Sequence, residues 1–243
     1  MQLQQLLSYT RQAVDDYEMI REGDVIAVGI SGGKDSLTLL YALHGLKRFY
    51  PKSFQIHAIS IDLGFENVSF DGIKKLCDAL DIPYTIIKTQ IGAIIFEERK
   101  EKNPCALCAN MRRGAMNRAA IDLGCNKIAY GHQKDDLVET FMMSLMYEGR
   151  IHCYSPITSF DDIGLTVIRP LLYVKEADVK GFVKKQNLPI LKSPCPADGN
   201  TKRSDMRDLL RELNKSNKGV KDKIFHAIIH QDLEGWPKKD GGV

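Results

Sequence analysis

Three groups of residues in this sequence have side chains and spacings suited to chemistry. The first is Ser31-Gly32-Gly33-Lys34-Asp35-Ser36, which follows the apolar run 25–30 and precedes an apolar helical pattern at 37–43. A buried strand that runs into a glycine turn opening a helix points several backbone N–H groups, and the positive end of the helix dipole, at one spot. Gly32 and Gly33 allow close backbone approach or positive φ, Lys34 adds a charge, and Ser31 and Ser36 add hydroxyl donors. Such a spot takes an anion, and phosphate is the obvious one. The pattern is not G-x-x-x-x-G-K-[ST], which needs glycine at position 28 and a hydroxyl residue after the lysine, where this chain has Val28 and Asp35.

The second group is made of thiols. Cys105 and Cys108 form a C-x-x-C and can reach one metal, with any third cysteine coming from far along the chain. Cys195 is the best candidate, because Pro194 and Pro196 fix it in a rigid, non-helical turn. Cys77 and Cys125 read as buried thiols of a helix and a strand start, and Cys153 is open to either reading. A C-x-x-C alone is shared by redox pairs, zinc knuckles and iron–sulfur sites. The third group is Gly131-His132-Gln133-Lys134-Asp135-Asp136, two adjacent carboxylates and a histidine where a strand gives way to a helix. Either aspartate serves equally well as a cap of that helix.

These groups need a scaffold that brings them to one edge. The periodicity predicts a lead-in helix from Leu3 to about Arg21, strands at 25–30, 54–62, 83–88, 127–130 and 166–172, and helices between them. Strands alternating with helices at this spacing mean βαβ units, a parallel sheet and right-handed crossovers. The expected architecture is α/β and Rossmann-like, a parallel sheet flanked by helices. Its expected parts are an N-terminal helix over 1–22, a nucleotide domain over 23–200 that carries the cysteines, and a helical C-terminal extension over 201–243. Asp62 then stands at the carboxyl end of the second strand, where open α/β sheets bind ligands, or simply caps that end. The charged segment 97–103 is expected to be mobile or to face a partner, and a helix is expected from about Cys108 to Asp122, carrying Arg112 and Arg113.

With 243 residues and 44% hydrophobic composition, the chain can build a full core. A net charge of +3 neither demands nor excludes a nucleic-acid partner. Residues 202–223 carry eight Lys or Arg against four acidic residues, which makes Lys202, Arg203, Arg207 and Arg211 candidate RNA-backbone contacts on charge alone, with a solvated helix face as the bland reading. No apolar run approaches a membrane span, so the expectation is a cytoplasmic protein without membrane contact, in which cysteines serve as ligands or reactive thiols more readily than as disulfides.

The hexapeptide 31–36 matches the SGGxDS signature of the PP-loop ATP pyrophosphatase superfamily. Pro104-Cys105-Ala106-Leu107-Cys108 with Arg112-Arg113-Gly114, Gly131-His132 through Asp136 with Glu139-Thr140, Ile168-Arg169-Pro170-Leu171 and Ser193-Pro194-Cys195-Pro196 follow it in the order of the tRNA 2-thiocytidine biosynthesis family. The chain resembles that family over nearly its whole length. The resemblance implies ATP bound at 31–36 with Asp62, Gly131 and His132 as further nucleotide-site residues, and magnesium held with the help of Asp35. It also implies a [4Fe-4S] cluster on Cys105, Cys108 and Cys195. The expected reaction is adenylation of a cytidine in the tRNA anticodon loop, at position 32 in tRNA numbering, followed by displacement of AMP by sulfur. In it Lys34 stabilises the departing phosphates, Asp135 or Asp136 holds magnesium or accepts a proton, and Arg112 and Arg113 position nucleotide or tRNA. The resemblance further implies a sulfur donor such as a cysteine desulfurase and a homodimer. Gln133-Lys134 departs from the histidine and arginine common at these positions. The competing readings are a 2-thiouridine enzyme, a lysidine-type or amidating pyrophosphatase with a zinc or redox site, and a nucleotide- and metal-binding module without turnover. The terminal C-x-x-C pairs usual in 2-thiouridine enzymes are absent here.

Overall fold

In the computed structural model the described residues are 1–99, 104–192, 194–196 and 202–230. The chain forms two compact units, one built from Met1–Asp136 with Tyr154–Thr201 and the other from Leu137–Cys153 with Lys202–Val243.

The first unit holds a six-stranded sheet in the order β3-β2-β1-β4-β6-β5. Its strands are β1 (Asp24–Gly29), β2 (Phe54–Asp62), β3 (Tyr84–Lys88), β4 (Lys127–Ala129), β5 (Ile157–Phe160) and β6 (Leu165–Ile168). All neighbouring pairs are parallel except β5 with β6. The strand order runs outward from β1 in both directions, with β2 on one side and β4 on the other. The crevice of an open α/β sheet lies at such a switch, outside the carboxyl ends of the strands. β1 is apolar at nearly every position because a parallel strand is covered on both faces.

One covering layer contains α2 (Lys34–Lys47), whose Leu37, Leu39, Leu40 and Leu43 are fully buried, and α7 (Glu176–Gln186), whose Phe182 meets Tyr41 edge-on with ring centroids 5.7 Å apart. In the other, Met116, Ala119 and Ala120 of α5 (Pro104–Asp122) pack with Ala27, Ile59, Ile128 and Val167 of the sheet. Each such apolar side chain taken out of water contributes about 1.5–3 kcal/mol. One buried polar group needs explanation: Lys127 at the start of β4 gives its ammonium to Asp24 and to the Met19 carbonyl, both at 2.7 Å. Burial pushes the Asp24 carboxyl up, but donors from Arg21, Lys127 and Asn126 outweigh it and hold the group below its usual range.

The elements differ from the sequence expectation where local signals were weak. α1 ends at Asp16, short of Arg21, and its Asp15 and Asp16 accept hydrogen bonds from Tyr50 and Tyr173, so it packs as part of the first unit. α3 (Asp71–Ala79) falls where expected. α4 (Ile91–Ala93) had no prediction, a π-helical turn at Ile94–Glu98 takes in the first two residues of the charged segment 97–103, and 100–103 lie outside the described residues. α5 starts at Pro104, so the C-x-x-C lies inside the helix's first turns. Proline suits this first position because it has no N–H to leave unpaired. The β5 strand had no prediction.

The second unit takes the body of α6 (Lys134–Glu148) together with α8 (Lys202–Ser216) and α9 (Val220–Ile229). Residues 137–153 therefore join the expected C-terminal extension. Met206, Leu210 and Phe225 form its apolar centre, and the buried Glu139 carboxylate is paired with Arg207 at 2.9 Å and Arg203 at 3.5 Å. No described helix is long and apolar enough to cross a membrane.

Candidate functional site

The anion loop between β1 and α2 is held by its own side chains. The Ser31 amide donates to Ser36 Oγ at 3.2 Å, Ser36 Oγ donates to the Gly33 carbonyl at 3.0 Å, and the Gly33 amide donates to Ser31 Oγ at 3.3 Å. Gly32 has φ +80°, a left-handed conformation that a side chain would strain, and a Cβ there would come within 2.7 Å of Leu191. From the neighbouring strand, Gly131 rests on the loop so closely that a Cβ would lie 2.8 Å from the Asp35 carbonyl. The sequence marks Gly131 as a nucleotide-site residue; the structure adds that only glycine fits against this backbone.

Lys34 donates to Asp35 at 2.8 Å and pairs with Glu176 at 3.4 Å. Burial pulls the ammonium down, but the two carboxylates outweigh it and its pKa is raised above the ordinary value. Asp35 spends Oδ2 on that pair, whereas its Oδ1 is buried with no hydrogen-bond partner among the described residues. A buried carboxylate oxygen with no donor fits a cation such as magnesium.

The aspartates after His132 are engaged with backbone. Asp136 accepts the Gln133 amide at 3.1 Å and caps the start of α6, and Asp135 accepts the Glu176 amide at 2.8 Å across to the first turn of α7. Asp62 turns the chain at the end of β2, accepting the Gly64 amide at 3.0 Å. Asp136 and Asp62 thus act as caps in this geometry, whereas Asp135 reaches a different helix from the one it begins. His132 stands between Tyr130 and Tyr154, with ring centroids at 6.0 and 4.8 Å, and the Arg169 guanidinium lies 4.9 Å from the Tyr154 ring centre. Tyr130 is pushed up by burial against the pull of Arg112, Arg169 and Arg113. Neither tyrosine was singled out from sequence; the Arg169-Pro170 motif was the available signal.

The cysteines come together. Cys105, Cys108 and Cys195 line one cavity of about 180 Å³ whose other walls include Phe65, Ile95, Phe96 and Arg112. The Cys108 thiol is raised by burial and by its two cysteine neighbours, with Arg112 pulling it down. Among the described residues no three His, Cys, Asp or Glu side chains converge as ligands of a single ion. Apart from Arg112 the cavity is lined by apolar residues and these three thiols, and cysteine thiolates are the ligands that hold iron–sulfur clusters. Cys77 and Cys125 are buried elsewhere, and Cys153 donates to the Leu137 carbonyl in the second unit.

The basic candidates fare differently. Arg113 donates to Asn110 on its own helix. Arg203 and Arg207 hold Glu139, Lys202 lies 5.1 Å from the Tyr147 ring centre, and Arg211 pairs with Asp208 at 2.6 Å. Each of these four has a partner within its own unit, which the charge count of 202–223 does not show.

Comparison with known proteins shows the family. Residues 3–213 match the family described as the PP-loop domain. The tRNA-cytidine(32) 2-sulfurtransferase of Pelobacter propionicus is 39% identical over 92% of this chain and 87% of its own length. The protein of the same name from Geobacter sulfurreducens is 37% identical over 89% and 86%. Among solved structures, the U34-tRNA thiolase NcsA from Methanococcus maripaludis with its [4Fe-4S] cluster aligns with a TM-score of 0.76 at 26% identity, covering 97% of this chain and 80% of that one. The NH3-dependent NAD synthetase of Campylobacter jejuni, at 16% identity and a TM-score of 0.51 over 95% of this chain and 93% of that one, shares the fold. A phosphate-type loop on a mostly parallel sheet, a three-cysteine cavity and relatives alike over nine-tenths of the chain lead to one assignment: this chain belongs to the tRNA-cytidine(32) 2-sulfurtransferase family, built on a PP-loop domain.

Proposed function

We propose that this chain replaces the C2 oxygen of a tRNA cytidine with sulfur after activating it with ATP. The observation that carries the reading is that the anion loop and the three-cysteine cavity belong to one compact unit. A pyrimidine C2 oxygen leaves poorly. Its attack on the α-phosphorus of ATP, with pyrophosphate departing, converts it into an adenylate whose AMP leaves well.

The amides of the 31–36 loop and the Lys34 ammonium receive the phosphates and stabilise the charge that develops as pyrophosphate separates, the kind of electrostatic help that dominates phosphate chemistry. Asp35, through the buried Oδ1, holds magnesium. Asp136 holds the turn after His132, Asp135 ties α6 to the first turn of α7, and Gly131 lies against the Asp35 backbone. Cys105, Cys108 and Cys195 would hold a [4Fe-4S] cluster, which would supply the sulfur-handling chemistry at this cavity. Arg112 places a positive charge at that cavity, suited to an anionic sulfur or to RNA phosphate. A sulfur donor such as a cysteine desulfurase, a homodimer and a cytoplasmic location complete the reading.

The test is anaerobic purification with iron and zinc analysis, followed by nucleoside mass spectrometry of tRNA treated with ATP and a sulfide source. About four irons per chain and 2-thiocytidine formation are expected. Stoichiometric zinc with no thiolated nucleoside would overturn the reading, and 2-thiouridine would replace cytidine by uridine as the target.

A further inference from the structure

The chain that delivers the third cysteine is not independent of the anion loop. After α7 ends at Asn187 in the left-handed conformation, Pro189 packs against Gly72 of α3, where a Cβ would meet it at 2.9 Å. Two residues on, the Leu191 amide donates to the Gly32 carbonyl at 2.9 Å. The Leu191 side chain fills the space a Gly32 side chain would need, with its Cβ, Cγ and Cδ1 at 2.7–2.8 Å from that position. Gly32 is the left-handed residue at the centre of the loop, so its carbonyl direction depends on the conformation that the loop takes around a phosphate. Cys195 follows four residues later and lines the cavity with Cys105 and Cys108. Four residues span at most about 14 Å, so Leu191 limits where the Cys195 thiol can stand.

We infer that Leu191 is a positioning residue through which the nucleotide state of the anion loop sets the placement of Cys195. The inference rests on the reading of 31–36 as the ATP loop and of Cys195 as a ligand residue. Nucleotide bound on the loop fixes the Gly32 carbonyl, the carbonyl and the packed side chain fix Leu191, and Leu191 fixes the start of the segment that bears the thiol. Cys105 lies on α5, and among the described residues no backbone hydrogen bond joins that helix to the loop. By linkage, a thiol placement that nucleotide favours must favour nucleotide in turn. The structural purpose is timing: the sulfur-handling cysteine is held in register when the activating nucleotide is present.

The experiment uses the full chain, reduced and freed of metal by chelation, with α,β-methylene-ATP and magnesium as the probe. Alkylation of each cysteine by iodoacetamide is followed by peptide mass spectrometry, and nucleotide binding is measured separately by calorimetry. Nucleotide is expected to slow alkylation of Cys195 by about fivefold, the low end of ordinary coupling between two sites, and to leave Cys105 unchanged. Leu191→Ala keeps the amide but removes the packed side chain, and is expected to erase most of that nucleotide effect while the protein still binds nucleotide; Leu191→Ile restores it. Binding without any change at Cys195, or an undiminished effect in Leu191→Ala, overturns the inference and leaves the ATP reading intact. No nucleotide binding at all overturns both.

Discussion

The anion loop and the cysteine cavity are built on opposite plans. The loop comes from six contiguous residues, and its shape is fixed by Ser31, Gly33 and Ser36 bonding to one another, with Gly131 resting on it from the neighbouring strand. The cavity gathers residues from β2's exit, α4, the π-helical turn, the start of α5 and a segment beyond α7. Its two near cysteines ride on a helix and the third on an irregular stretch. A site whose geometry is local tolerates little change within it. A site assembled from distant parts depends on the frame, and Leu191 is the piece of that frame it shares with the loop.

The largest expected effect is a double dissociation. Asp35→Asn should slow pyrophosphate release by about 100-fold or more with the iron content intact. Cys195→Ala should lose the iron yet keep ATP affinity within about fivefold of wild type, the span of the coupling carried through Leu191. Iron and nucleotide assays on both variants check this, and parallel losses would break the contrast. Next is Gly131→Ala: its new Cβ meets Asp35 backbone at 2.8 Å, so a destabilisation toward the top of about 1–3 kcal/mol is expected in urea titration, with nucleotide affinity falling. Ser36→Ala removes a buried hydroxyl that serves Ser31 and Gly33 and should cost about 1–2 kcal/mol, again with no loss of iron.

The smallest effect concerns the frame common to both sites. Tyr84, bonded to Ser60 of β2, and Tyr50, bonded to Asp15 of α1, are each pushed up to about 12, mainly by burial. The fold thus prefers the neutral phenols. Their stability contribution is full below about pH 10, the unfolded value, and is lost as pH rises toward the folded value of about 12. Urea midpoints at rising alkaline pH should fall through that window, and Tyr50→Phe should shallow the fall.

What could be read from sequence follows the same divide. The loop was legible because strand, glycine turn and helix are adjacent and each has a local signal. β2 was placed at its true ends because Pro51 and Ser53 precede it and β-branched residues fill it. Cys195 as partner of Cys105 and Cys108 was legible only through its prolines and the family order. The cavity walls Phe65 and Phe96 were not, since nothing local tells an aromatic lining a site from one in a core. Glu176, which holds Lys34, and Leu191, which packs on Gly32, lie more than 140 residues from their partners. Arg203 and Arg207 show the converse: their partner Glu139 is 64 and 68 residues away, and a charge count does not see a buried partner.

Lys34 is held by Asp35 on one side and by Glu176 on the other, and Glu176 also takes Lys180 at 3.0 Å. The loop thus carries its own internal counterions, so an arriving phosphate has to exchange with a carboxylate rather than meet a bare ammonium. Nucleotide association at this loop is in effect an ion swap inside the protein, and its affinity should depend less steeply on salt than attraction to an uncompensated lysine would. A metal-bound nucleotide suits such an exchange, because the cation it brings gives the displaced carboxylate a new partner.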